Sequence, residues 1–121
     1  MTWLLDADRP IYTQLVEKIQ MQIVSGICPP GSRLPSVRDL AAEAAVNPNT
    51  MQKAFSELER LGLIITRRTN GRTVTEDTEM IQKIRDNLAK EHLADFIKKM
   101  KELGYDKNAV ITLLQKMGED K

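Results

Sequence analysis

The chain has 121 residues, 41% of them hydrophobic and 29% charged, which is the balance of a folded domain and not of a disordered tail. That length admits one domain, or a small domain with an appendage, and excludes a TIM barrel or a full two-domain enzyme. Eighteen Lys and Arg against seventeen Asp and Glu leave a formal net charge of +1, so any surface for a polyanion must be a local patch.

In chain order, Thr2-Trp3-Leu4-Leu5 is strand-like and is expected to pack over the core or wing, or to extend towards a partner chain. From Pro10 to Ser25, Ile11, Leu15, Ile19 and Ile23 recur every four residues, with Tyr12 and Val16 widening the same face. That spacing predicts an amphipathic helix, with Pro10 in its first turn and Gly26 as its left-handed stop. Pro29 to Pro35 reads as a rigid loop. Ser36 then caps a short helix that turns Val37, Leu40, Ala41 and Ala44 inward, with Asp39 completing an imperfect capping box. After a break at Ala45-Val46, Asn47 and Pro48 are a good cap and first residue for a third helix. Its inner stripe is Met51, Ala54, Phe55, Leu58 and Leu61, and Gly62 ends it. Asn49, Thr50, Gln52, Lys53 and Ser56 face outward near its start.

Beyond Gly62 the period changes. Leu63 to Arg67 and Thr73 to Thr75 are β-branched runs, and Asn70-Gly71 between them predicts a hairpin closed by a type I′ turn. Arg67, Arg68 and Arg72 cluster around its tip. From Glu76 onward, apolar residues from Ile81 to Leu103 keep helical spacing for about six turns. Gly104 is the expected stop, Asp106 caps a last helix, and Val110, Leu113, Leu114 and Met117 stripe its inner face.

Helix, loop, short helix, tight break, third helix and basic hairpin form the layout of a winged helix-turn-helix. The expected fold is mainly α with a small β-hairpin wing, occupying residues 1–76, followed by a two-helix C-terminal dimerisation segment, residues 77–121. The polar start of the third helix suits a major groove, where Asn, Gln, Thr and Lys meet base edges or phosphates. Its free N–H groups and dipole also favour a phosphate. Gly71 lets the hairpin tip approach the DNA backbone closely. Charge agrees: residues 31–75 hold seven basic side chains against four acidic ones, whereas residues 77–121 hold nine of each.

Three runs also resemble the GntR family of bacterial transcriptional regulators: Pro30-Gly31-Ser32-Arg33-Leu34-Pro35-Ser36-Val37-Arg38-Asp39-Leu40-Ala41, then Val46-Asn47-Pro48-Asn49-Thr50, then Glu57-Leu58-Glu59-Arg60-Leu61-Gly62-Leu63-Ile64. The short helical tail is similar to that of the YtrA subfamily. The resemblance implies that Arg38, Asn49, Thr50, Gln52 and the wing around Gly71 contact operator DNA. Lys53, Arg67, Arg68 and Arg72 complete the candidate DNA-binding set. One departure is plain: such wings often read Gly-x-Gly-Thr-Phe-Val, whereas this one reads Thr69-Asn70-Gly71-Arg72-Thr73-Val74.

Two helices over about 40 residues rarely close a core without a metal, a disulfide or a partner. The tail is therefore expected to pair two copies through Leu88, Leu93, Phe96, Ile97, Met100, Leu113 and Leu114. A two-fold homodimer spaces two reading helices about 34 Å apart and calls for an inverted-repeat operator. Doubling the phosphate contacts also explains how a near-neutral chain binds usefully. The expected function is a sequence-specific regulator, in the first place a repressor, acting on double-stranded operator DNA in the cytoplasm. A small-molecule effector would sit between the tail and the winged domain, or across the dimer.

Blander readings compete at several positions. Lys53 and Arg60 serve an intrahelical pair with Glu57 as readily as DNA; the three wing arginines also suit protection of an exposed strand edge, with DNA contact the first reading for at least one of them. His92 sits at interface-like spacing, and the six Met are core filler before they are a sensor. Cys28 stands alone, which excludes an intrachain disulfide and a cysteine-based zinc site. No metal or cofactor is expected. One His and one Cys assemble no nucleophile–base pair, so an enzyme is not expected. No apolar run reaches the roughly 20 residues of a membrane span, and no signal-peptide pattern opens the chain. The rival to DNA binding is a winged helix that serves as a protein-interaction module.

Overall fold

The computed structural model describes residues 3–69 and 71–119, the side chain of Glu119 excepted. Thr2 of the N-terminal run and Asn70 of the hairpin signal lie outside the described residues. The elements are α1 (Ile11–Val24), α2 (Val37–Ala44), α3 (Pro48–Arg60), β1 (Ile64–Arg67), β2 (Gly71–Val74), α4 (Thr78–Glu102) and α5 (Lys107–Glu119).

Side chains at the helix starts satisfy N–H groups that have no partner within the helix. Ser36 Oγ accepts from the Asp39 N–H at 3.0 Å, Asn47 Oδ1 from Asn49 at 2.8 Å, Asp77 Oδ1 from Met80 at 3.0 Å, and Asp106 Oδ1 from Ala109 at 2.8 Å. The ends of α2, α3 and α4 share one backbone device. In each, a left-handed residue lets the next N–H reach back five residues: Val46 to Ala41, Leu63 to Leu58 and Tyr105 to Met100, all at 3.0 Å. Glycine supplies the left-handed residue at Gly62 and Gly104, but α2 uses Ala45, with φ 58°. This is the tight break between α2 and α3, held by a residue that adopts such a φ only at a cost of about 1–2 kcal/mol.

The wing differs from its sequence expectation in register and in width. A two-residue turn centred on positions 70 and 71 would pair Thr69 with Arg72. Instead Arg67 pairs with Gly71 and Thr66 with Arg72, so three positions separate the paired ends. Gly71 still has positive φ, at 68°. The supposed rigid loop also joins the sheet: Gly31 N–H donates to Val74 O, Val74 N–H to Ser32 O and Leu34 N–H to Arg72 O, each at 2.9 Å. The loop thereby occupies the outer edge of β2, where unpaired groups would otherwise face water. The N-terminal run forms no strand over its described residues; Trp3 is half-buried and its indole N–H donates to Glu43 Oε1 on α2 at 3.3 Å.

The chain separates into two compact units, Met1–Ile84 and Arg85–Lys121. In the first, Leu15 and Ile19 of α1, Leu40 of α2, Phe55 and Leu58 of α3, and Leu63 beside the wing are fully buried. Each such side chain contributes about 1.5–3 kcal/mol by leaving water. Ile81 joins them, so the opening turns of α4 pack with this unit. Tyr12, expected to widen the apolar face of α1, is instead 37% exposed. Gln14 replaces it as a buried position. Its amide donates to the Asp6 and Arg9 carbonyls at 2.7 and 3.0 Å and accepts from the Asp6 N–H at 2.6 Å, tying the leading segment to α1.

In the second unit Val110 is the one hydrophobic side chain buried among the described residues. Leu113, Leu114 and Met117, expected on an inner stripe with it, are exposed, because two helices have only one seam between them and cannot enclose a whole stripe.

Candidate nucleic-acid interface

The candidate surface begins with how α3 is anchored. Met51, Ala54, Phe55 and Leu58 are all fully buried, and this fixes the helix in rotation. The same rotation leaves Asn49, Gln52, Lys53 and Ser56 exposed on the opposite face, with Thr50 half-buried beside them. Spacings of three and four place the exposed four in one stripe. Asn47 and Pro48 hold the first turn, so the stripe starts where the helix dipole favours an anion. Arg38, in the first turn of α2, is exposed and makes no ion pair among the described residues.

On the wing, Arg67 and Arg68 are exposed. Arg67 Nε also donates to Thr73 Oγ1 at 3.3 Å, and Thr73 is itself buried, standing where the family's wings often carry an aromatic ring. Arg33 comes to the same place from the edge loop. Its guanidinium lies 3.8–3.9 Å from where a Cβ on Gly71 would stand, so the wing carries a cation that the spacing of its own strands did not announce. Arg72 is not free at the tip. Its Nε donates to Glu59 Oε1 at 3.0 Å, its Nη2 to Gln52 Oε1 at 3.4 Å, and its guanidinium carbon lies 5.4 Å from the centroid of the Phe55 ring.

A shallow groove of about 380 Å³ runs beside the stripe, lined by Tyr12, Gln52, Lys53, Ser56, Glu57 and Arg60. Glu57 and Arg60 pair across one turn of α3, with contacts of 2.5 and 2.9 Å. The Arg60 guanidinium holds the Glu57 carboxyl below its ordinary value, chiefly through those hydrogen bonds. Arg60 is thereby partly spent on Glu57, as the intrahelical reading has it, whereas Lys53 makes no ion pair among the described residues. Burial pushes the Cys28 thiol up, which leaves it mostly protonated at neutral pH.

The expected interface residues of the tail do not form a closed cluster in one chain. Leu93, Phe96, Leu113 and Leu114 are exposed, while Leu88, Ile97 and Met100 are half-buried. Leu93, Phe96, Ile97, Val110, Ile111 and Leu114 line an apolar groove of about 260 Å³, with Lys101 and Lys107 at its margin. Among the described residues no helix is long and apolar enough to cross a membrane.

A three-helix core with the α2–α3 break at Ala45, a polar stripe on α3 and an arginine-bearing hairpin after it define a winged helix-turn-helix. The model of bacterial regulatory proteins of the gntR family matches residues 11–74. The chain belongs to the GntR family of bacterial transcriptional regulators, and it carries that family's DNA-binding helix-turn-helix. It is similar to YhcF of Bacillus subtilis (strain 168), an uncharacterized HTH-type transcriptional regulator, with 42% identity over 105 residues and 87% of each chain covered. It is also similar to the HTH-type transcriptional repressor YtrA of the same strain, 44% identical over 70 residues, 58% of this chain and 54% of that one. A GntR family transcriptional regulator from Listeria monocytogenes has a TM-score of 0.86 at 39% identity, covering 93% of this chain and 98% of that one. These relatives are transcriptional regulators, not enzymes.

Proposed function

We propose that the protein is a sequence-specific repressor that binds an inverted-repeat operator as a homodimer. The observation that carries this reading is the division of labour between the two units. In the first, a buried core holds a polar, cation-flanked helix face outward; in the second, Leu93, Phe96, Ile111 and Leu114 stay in contact with water. A second copy covers that apolar surface, filling the groove between α4 and α5 with its own side chains. Residues 1–76 are the DNA-reading part and residues 77–121 the pairing part. Asn49, Thr50, Gln52 and Lys53 face the major groove, Arg38 meets the flanking backbone, and Arg67, Arg68 and Gly71 of the wing meet the adjacent phosphates. The repressor YtrA supports repression over activation. With nine charges of each sign in residues 77–121, the tail adds no net attraction to DNA, so affinity comes from two copies of one modest patch.

Fluorescence anisotropy tests this on the duplex upstream of the protein's own gene, beside a scrambled duplex, across a salt series. The expected result is a clear preference for the upstream duplex with two subunits per site. Equal, steeply salt-dependent binding to both duplexes would contradict sequence-specific recognition of that site.

A further inference from the structure

We infer that Arg72 is a positioning residue, which fixes the orientation of the Gln52 carboxamide and so sets the base preference of α3. The inference rests on the reading of Gln52 as a base-contacting residue. The guanidinium is anchored before it reaches Gln52: its Nε–Glu59 hydrogen bond is 3.0 Å long, and its central carbon lies over the fully buried Phe55 ring, 5.4 Å from the centroid. From that anchored place Nη2 reaches Gln52 Oε1 at 3.4 Å.

Arginine donates hydrogen bonds and accepts none, so the end of the amide that faces it must be the oxygen. The amide nitrogen then turns towards Ser56 Oγ, also 3.4 Å away. Ser56 alone sets no direction, because a hydroxyl donates as readily as it accepts. Arg72 is the member of this chain of contacts that tells the two amide orientations apart. A side-chain amide reads a base edge by presenting its donor and its acceptor in a fixed order, and a flipped amide presents them reversed. Arg72 sits on β2, so the wing takes part in base selection through α3. Its pairing with Glu59 also offsets its charge, which makes it a poorer phosphate contact than the exposed Arg67 and Arg68.

Selection of binding sites from a randomised duplex pool, followed by salt titrations on the winning site, separates the roles. The intact protein is compared with Gln52→Ala, Arg72→Ala, Arg72→Met and the Gln52→Ala/Arg72→Met double variant. Methionine keeps an unbranched stem over Phe55 and guards against simple unfolding. We expect Arg72→Ala and Arg72→Met to lose preference at the same half-site position as Gln52→Ala. That loss should be on the order of ten- to a hundred-fold in discrimination, with the salt slope unchanged and no further loss in the double variant. A full base preference in Arg72→Met, with Gln52→Ala having lost one position, would overturn the role of Arg72 alone. Uniformly weaker binding with a salt slope reduced by about one would make Arg72 a phosphate contact instead. If Gln52→Ala keeps every preference, its base-reading role fails and the positioning role falls with it.

Discussion

Both units carry apolar residues at helical spacing and put them to opposite uses. In residues 11–84 the stripes of α1, α2 and α3 converge on one centre, and Leu15, Ile19, Phe55 and Leu58 lose all contact with water. In residues 85–121 Val110 is the one hydrophobic side chain buried among the described residues, and Leu93 and Leu114 stay 58% and 52% exposed. The difference lies in the number of directions from which partners arrive. Three helices and a hairpin surround a point, whereas two helices share a line. An apolar stripe states which residues favour leaving water; it does not state whether the covering surface belongs to the same chain.

The largest effect that tests this contrast is expected in the closed core. Phe55→Ala removes a fully buried ring that also supports Arg72, and should lower stability by about 3–5 kcal/mol in thermal or urea melts followed by circular dichroism. A loss below 1 kcal/mol would mean that the centre is less tightly packed than its burial suggests. In the open unit, Phe96→Asp should instead separate the subunits, reducing operator affinity on the order of a hundred-fold or more through lost avidity. Its preference between operator and scrambled duplexes should persist in anisotropy, since the reading surface is elsewhere in the chain.

Ala45→Gly sharpens the picture of how α2 hands over to α3. Relieving a left-handed alanine while making the unfolded chain freer should raise stability by roughly 0.5–1 kcal/mol in the same melts. A destabilised variant would show that the alanine methyl matters more than the backbone strain. The smallest effect concerns the Glu57–Arg60 pair. The folded carboxyl is held below its ordinary value, so its contribution is present above about pH 4.3, the unperturbed glutamate value, and fades as pH falls through the lowered value. Arg60 is well exposed and Glu57 half-buried, so Glu57→Gln should cost little at pH 7 and still less as the pH falls. A cost that stays constant across that range would assign the effect to packing.

The helices were legible because their signals are local. Ser36, Asn47 and Asp106 cap the helices at which the sequence places them, and Met51, Ala54, Phe55 and Leu58 form the buried side of α3 that their spacing predicts. What escaped was non-local. Nothing between Pro29 and Pro35 announces a sheet edge, because a chain segment held by 2.9 Å bonds to β2 needs no alternation of its own. The Asn70-Gly71 pair marked the hairpin correctly, but a strong turn signal does not fix register, and Thr66 pairs with Arg72. Arg72 looked like one of three equivalent tip cations for the same reason: one position of register decides whether a wing side chain points at α3. Tyr12 was ambiguous by nature, since it stands three residues before Leu15 and borders the buried face without joining it.

Sedimentation equilibrium of the intact chain, without DNA and at micromolar concentration, tests the central claim most directly. If the second unit pairs two copies, the mass will be twice the 13.7 kDa of one chain and will fall to that value in Phe96→Asp. A wild-type chain that sediments at 13.7 kDa, with its apolar α4–α5 surface still open to water, would contradict the account.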